Sequence, residues 1–260
     1  MDENERTRWN RSAIDYQRTF KLGLNEYEAS LISFLQENDM IAPGRSVIDI
    51  GCGTGVFGKY FAELGCNVTL TDISDEMIRY AKENMAPYKN WSAFRSDFNE
   101  LDIESETLKN SFDLATAMFS PAVRDEVGIH KMSDLSKGFC FLSRFYDWKQ
   151  PFREKLYNDI CFNPENSFFR NMKEDCAKII ESVSKSGYTP FVKYASYNWF
   201  DKRSAEDEAD FLYRQSFSEL ENGMDLREKA LKYMVDNYGE GALMIDNVET
   251  KVLWLYWKGS

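Results

Sequence analysis

The stretch Val47–Ser74, VIDIGCGTGVFGKYFAELGCNVTLTDIS, decides the fold. Val47, Ile48 and Ile50 form a short apolar run of the kind that makes a buried strand, and glycines then open a sharp turn into the amphipathic segment VFGKYFAELG. NVTLTD, at 67–72, reads as the next strand. Strand, glycine turn, helix, strand is the opening of a nucleotide-binding α/β unit. Its ligand must need glycines at 51, 53 and 55 and an aspartate, Asp72, at the end of the second strand.

Outward from this unit the periodicity alternates. Residues 8–20 and 25–38 carry helical spacing, with Tyr27, Leu31, Phe34 and Leu35 on one face, and APGR breaks the chain before the first strand. Downstream, the pattern predicts a helix over 74–85, strands over 91–97 and 112–119, a helix near 126–137 and a strand over 138–145. Strand and helix in alternation imply a doubly wound, mostly parallel sheet with helices on both faces. Ser74 with the acidic start Asp75–Glu76 suits a helix N-terminus beside the ligand. Further on, a helix over 167–187 leads into the strand TPFVKYASYNWF, and the aromatic ETKVLWLYWKG closes the sequence as a strand. Between those strands, AEDEADFLYRQSFSELE and DLREKALKYMVDNYG read as two helices, too long a connection for a hairpin. The expected organisation is therefore N-terminal helices or a lid over 1–40, a main α/β domain over 41–200 and 246–260, and a helical cap insertion over 201–245.

Composition restricts the partners. With 43 acidic against 32 basic residues and a net charge of -11, the chain lacks the basic footprint of a nucleic-acid binder. Cys52, Cys66, Cys140, Cys161 and Cys176 are odd in number and contain no CxxC pair, so reduced thiols are expected, without a disulfide framework or a metal. MDENERTRWN is unlike a signal peptide and no apolar run is long enough to span a bilayer, so the expected setting is cytoplasmic, away from membranes, with a small molecule as partner.

Two ligand classes compete for the glycine turn. Gly53, Gly55 and Gly58 satisfy GxGxxG, with Asp72 near the spacing of a dinucleotide enzyme's ribose ligand. Against that stands Asp49, whose carboxylate at the rim of the first strand would repel a pyrophosphate and attract a cationic amino-acid head. S-adenosylmethionine, a sulfonium with an α-ammonium group, a ribose and no phosphate, answers that description. The motif VIDIGCGTG resembles the first motif of the S-adenosylmethionine-dependent methyltransferases, a family with a seven-stranded Rossmann-like sheet whose C-terminal strand is antiparallel. The resemblance covers about residues 40–200.

The resemblance implies a role for each matching residue. Asp49 would orient the methionine amino group, while Gly51, Cys52, Gly53, Thr54 and Gly55 would bring backbone against the cofactor. Asp72 would accept hydrogen bonds from the ribose hydroxyls, with Ile73 and Met77 near the adenine. RSDFNE is similar to the third motif, so Asp97 would take the adenine amino group and Phe98 would border the ring, although Phe98 reads equally as core. FDLATAMFSPA is similar to the fourth motif, where Ala117, Met118 and Phe119 would line the methyl-donor side. WNRSAIDYQRTF resembles a lid segment carrying Trp9 and Tyr16, and reads equally as an amphipathic helix packed on the sheet.

The acceptor is less legible. Methyl transfer from a sulfonium is an in-line displacement that needs alignment and exclusion of water more than a strong base. His130, the single histidine, Ser120 and Arg124 are the candidates for a catalytic role; Ser120 and Arg124 would contact an acidic substrate, and Arg124 beside Asp125 and Glu126 reads equally as a surface ion pair. The sequence after the fourth strand, FSPAV, departs from the nucleic-acid amino-methylating pattern. Phe211, Tyr213, Phe217, Tyr233 and Tyr238 of the insertion would form either an apolar pocket or core. The expected activity is methylation of a small molecule; the alternatives are a non-catalytic cofactor-binding module and, through GxGxxG, a nicotinamide-dependent oxidoreductase, which lacks a visible Ser/Tyr/Lys or His/Asp set.

Overall fold

The computed structural model describes residues 3–20, 25–104, 107–160, 172–215 and 220–259. Seven strands run β1 Ser46–Ile50, β2 Asn67–Asp72, β3 Trp91–Arg95, β4 Phe112–Met118, β5 Ser136–Lys149, β6 Phe191–Ser204 and β7 Leu243–Lys258. Among the described residues the helices are α1 Glu3–Phe20, α2 Glu26–Glu37, α3 Val56–Glu63, α4 Asp75–Met85, α5 Glu126–Leu135, α6 Pro151–Ile160, α7 Met172–Lys185, α8 Ala205–Gln215 and α9 Leu220–Tyr238. None of them is long and apolar enough to cross a membrane.

The strands form one sheet in the order β3-β2-β1-β4-β5-β7-β6, parallel from β3 to β5. β7 runs antiparallel to β5: Gly259 donates to the Gly138 carbonyl, while the Thr250 hydroxyl donates to the Asp147 carbonyl, so one number rises as the other falls. Strand order reverses between β1 and β4, and a crevice at the carboxyl ends of these strands is where such a sheet takes its ligand. Val47, Ile48 and Ile50 are completely buried, which is why this apolar run occupies the sheet centre.

Two compact units share the chain. The first comprises Met1–Phe145, Lys173–Ala195 and Val252–Ser260; the second comprises Tyr146–Met172 and Ser196–Lys251. In the first, Tyr27, Leu31, Phe34 and Leu35 of α2 are all buried, and Phe34 packs 5.0 Å from the Trp254 ring with the Lys193 ammonium over both. A capping box starts α2, the Asn25 side chain accepting from Glu28 N and the Glu28 side chain accepting from Asn25 N. Cys52, Cys66, Cys140 and Cys176 are free and buried; Cys161 lies outside the described residues.

The second unit has a core of Leu156, Ala205, Ala209, Leu212, Ala230, Met234 and Met244. Arg153 forks onto Glu208 at 2.5 and 2.7 Å and reaches Asp201 at 3.2 Å, while Asp246 accepts from the backbone of Phe152 and Arg153 at the start of α6. This unit takes in more than the 201–245 stretch, since α6 and the ends of β5 and β7 belong to it. Phe211 lies under the Arg153 and Arg203 guanidinium groups and Tyr233 packs on the core, while Phe217 lies outside the described residues. The helix expected over 167–187 is described from Met172 to Lys185. The one expected near 126–137 stops at Leu135 because Ser136, with extended backbone, already opens β5.

Candidate functional site at the ends of β1, β2 and β4

The glycine turn is shaped by two contacts. Gly51 has a φ of +69°, and a Cβ there would fall 1.9 Å from Ser120 Oγ, so a side chain at 51 would push away the loop leaving β4. Gly53 has a φ of +56°, and a Cβ there would meet only Met77 Sδ, at 3.9 Å, so its outer side is open. Gly58 serves packing instead, since a Cβ would lie 2.6 Å from the Leu70 side chain on β2. The Thr71 carbonyl accepts from both Gly51 N and Cys52 N, anchoring the turn to β2.

Two buried carboxylates converge on this turn. Asp49 is 1% exposed; its Oδ1 accepts from the Thr116 hydroxyl at 2.9 Å, whereas Oδ2 has no partner among the described residues. Burial pushes its pKa up to about 7, with the Thr116 hydrogen bond opposing and the Asp72 charge adding. Asp72 Oδ2 accepts from Gly53 N at 3.0 Å and its Oδ1 from Ser74 N at 2.9 Å, and burial pushes this group up to about 6 against those donors. Burial and both carboxylates also push the Cys52 thiol far up, so it is no nucleophile. The turn is therefore acidic and attracts positive charge.

α1 packs against α4 through polar groups. Asn10 Oδ1 accepts from Ser74 Oγ at 2.6 Å and from Glu76 N at 3.2 Å, supplementing the Ser74 cap on Met77 N. Gln17 and Asn84 exchange side-chain hydrogen bonds at 2.7 and 2.9 Å, and Asn84 also donates to the Thr54 carbonyl. Thr54 turns its own hydroxyl toward the Tyr16 carbonyl, 3.4 Å away. Ser12, Ala13, Asp15 and Gln17 are buried, while Ile14 and Tyr16 are exposed, so hydrogen bonds rather than an apolar stripe dock this helix. Trp9 meets Tyr16 edge-on at 6.1 Å.

The remaining candidates spread around the crevice. Met77, Phe98, Ala117 and Met118 are buried and Ile73 is half-buried. Asp97 accepts from Asn99 N and Asn99 Nδ2, a local turn, and Lys131 holds the following loop by donating to the carbonyls of Phe98, Asn99 and Leu101. Ser120 is buried against Gly51 and accepts from Ala122 N. Arg124 makes a surface ion pair, with Glu5 at 3.6 Å rather than with Asp125 or Glu126, and Asp125 caps α5 by accepting from Gly128 N. His130 is exposed on α5, its ring 6.0 Å from that of Tyr188. Asn10, Thr116 and Lys131, all at the site, were not among the residues the sequence singled out.

Residues 47–134 match the family described as a methyltransferase domain. The malonyl-acyl-carrier-protein O-methyltransferase of Pectobacterium atrosepticum is 51% identical over 43 residues, covering 16% of this chain and 17% of that protein. The mitochondrial ubiquinone biosynthesis O-methyltransferase of Schizosaccharomyces pombe is 34% identical over 77 residues, 29% of this chain and 27% of that protein. The matched segments thus span well under two thirds of either relative. In fold, the chain is similar to magnesium protoporphyrin IX methyltransferase from Synechocystis PCC 6803, solved with bound SAH, at a TM-score of 0.55 and 16% identity over 98% of both chains. The chain is a Rossmann-like α/β protein with a seven-stranded sheet, and its residues 47–134 match a methyltransferase domain.

Proposed function

We propose that the protein is a methyltransferase that uses S-adenosylmethionine to methylate a small molecule. The observation that carries this reading is Asp49 Oδ2, a buried carboxylate oxygen without a partner among the described residues, near a second buried carboxylate, Asp72, and the open side of Gly53. Leaving such an oxygen unpaired is costly, and a bound ammonium group would relieve it. A pyrophosphate would meet the same oxygen as a repulsion, which disfavours a nicotinamide dinucleotide.

The acidic turn suits this cofactor. Asp49 would hold the methionine ammonium and Asp72 the ribose hydroxyls, with Gly53 keeping side chains out of the space between. Met77, Ile73, Asp97 and Phe98 would border the adenine, and Ala117, Met118 and Phe119 the side facing the acceptor. When bound, the cofactor supplies an electrophilic methyl group on a sulfonium. The chain's task is then to align the acceptor and keep water out, and α1, tied to α4 and to Thr54, would close one side. His130 points to solvent and receives no role in proton transfer.

Calorimetric titration with S-adenosylmethionine, S-adenosylhomocysteine and a nicotinamide dinucleotide tests the reading. Micromolar binding of the sulfonium pair, with the dinucleotide much weaker, is the expected result; tighter dinucleotide binding would overturn it. Release of S-adenosylhomocysteine during an acceptor screen then separates an enzyme from a silent cofactor-binding module.

A further inference from the structure

We infer that Lys131 is a positioning residue for base recognition: it gathers the carbonyls of Phe98, Asn99 and Leu101 onto its ammonium and thereby presents the Asp97 carboxylate to the adenine of the cofactor. This rests on the S-adenosylmethionine reading and adds to it the group that sets selectivity for the base.

The loop stands at the end of the sheet where a ligand is taken. Asp72 and Arg95 are register partners, and Ser96 N donates to the Asp72 carbonyl at 2.9 Å. Asp97 therefore follows directly beyond the carboxyl end of β3, beside the end of β2. Its carbonyl accepts from Glu100 N and Leu101 N, which closes a tight turn. Its side chain is fixed through one oxygen only, Oδ1, which accepts from Asn99 N at 3.0 Å and from Asn99 Nδ2 at 3.3 Å. Oδ2 has no donor among the described residues and Asp97 is half-buried, so this oxygen is available to an exocyclic amino group.

Local hydrogen bonds do not hold this turn alone. Lys131 Nζ, reaching over from α5, lies 3.1 Å from the Phe98 carbonyl oxygen, 2.7 Å from that of Asn99 and 2.9 Å from that of Leu101, with the centre of the Phe98 ring at 5.7 Å. Three ammonium donors meet three acceptors, which uses the group completely. Three carbonyl oxygens converging on one point would repel one another without a cation between them. Burial lowers the Lys131 pKa, and the charges of Asp97 and Asp102 work against that. The connection to Asp97 runs through one planar peptide. With the Phe98 carbonyl held toward Lys131, the N–H of the same peptide, that of Asn99, aims the opposite way, onto Asp97 Oδ1. Turning this peptide would release Oδ1 and free the carboxylate to rotate.

The test compares S-adenosylhomocysteine with S-inosylhomocysteine, its hypoxanthine counterpart, by calorimetry. The two share ribose and amino acid and differ at the base, where the amino group is replaced by an oxo group that the Asp97 carboxylate repels. The unaltered protein should bind the adenine form at least about tenfold more tightly. K131M should reduce this ratio to about threefold or less, whereas K131R, which keeps the charge, should retain most of it. A general loosening of the fold weakens both ligands alike and leaves the ratio unchanged, so the ratio reads positioning alone. An undiminished ratio in folded K131M would overturn the proposal. So would equal binding of the two forms by the unaltered protein, a result that needs no variant. Should K131M not fold, K131Q gives the same comparison, since its amide carries no charge and fewer donors. Binding of neither form by the unaltered protein would strike the cofactor reading and this role of Lys131 together, whereas binding without preference strikes only the latter.

Discussion

Replacing Asp49 with asparagine should stabilise the protein and disarm it at once. The carboxyl titrates near 7 in the fold against an ordinary 3.8, chiefly through burial. Because the folded value is the higher one, the native state holds the extra proton, and stability falls as pH rises from about 4 to about 7. Keeping Asp49 ionised above that range costs about 4 kcal/mol. Asparagine removes the charge but leaves one amide group unpaired where Oδ2 was, a penalty of about 1–3 kcal/mol. Asp49→Asn should therefore be more stable than the parent by about 1–3 kcal/mol at pH 8, and this advantage should shrink by about 2–3 kcal/mol on going to pH 5. Urea denaturation of both proteins at the two pH values measures it. In calorimetry the parent's affinity for S-adenosylhomocysteine should rise between pH 6 and pH 8 as Asp49 ionises, while the variant binds at least about tenfold more weakly with little pH dependence. A stability difference that does not vary with pH, or full affinity in the variant, would refute the role of Asp49 as an ammonium ligand.

Asp72→Ala should weaken cofactor binding by about 1–3 kcal/mol, and unchanged affinity in a folded variant would remove Asp72 from the ribose site. Gly53→Val places a branched side chain at a φ of +56° into open space, so binding should be lost by calorimetry; normal binding would mean that the turn does not cradle the cofactor. Asn10→Ala removes the acceptor for Ser74 Oγ and Glu76 N and should cost about 1–2 kcal/mol of α1 docking, seen as faster tryptic cleavage at Arg11 and Arg18. Arg153→Met strands Glu208 in the second unit and should destabilise it by about 3–5 kcal/mol; Arg153→Met with Glu208→Gln should recover part of that, both read by amide exchange across α8.

The first half of the fold was legible because its central strands are buried on both faces and its punctuation is local. Val47–Ile50 is an apolar run broken only by Asp49, Asn67–Asp72 is a run of Val, Leu and Thr between two polar ends, and glycine or a cap follows each, so their bounds could be read directly. Beyond 145 that signal fails. In β7, Met244, Asp246, Val248 and Thr250 are buried while Leu243 and Ile245 are exposed, so its first half alternates against its hydrophobicity. The strand therefore starts at 243, inside a stretch read as helical insertion. α6 was missed for a similar reason: its two buried side chains are Arg153 and Leu156, and the arginine is buried only because of Glu208, 55 residues away. At the site, the glycines and Asp72 announced themselves by spacing, whereas Asn10, Thr116 and Lys131 act through partners distant in sequence. Lys131 grips carbonyls some thirty positions earlier, and nothing local to HKMSDL encodes that.

The order of the sheet also sets a timetable for assembly. β7 lies between β5 and β6, although both are synthesised before it. Until residues 243–258 emerge from the ribosome, β5 and β6 lack the strand that separates and joins them, and each presents a free edge with aromatic side chains. β6 is an edge strand even in the finished sheet, with Phe191, Tyr194 and Phe200 exposed, so the nascent chain offers two such edges at once. Translation stalled after Tyr238 would thus yield a chain with the whole glycine turn in place and a strong tendency to self-associate.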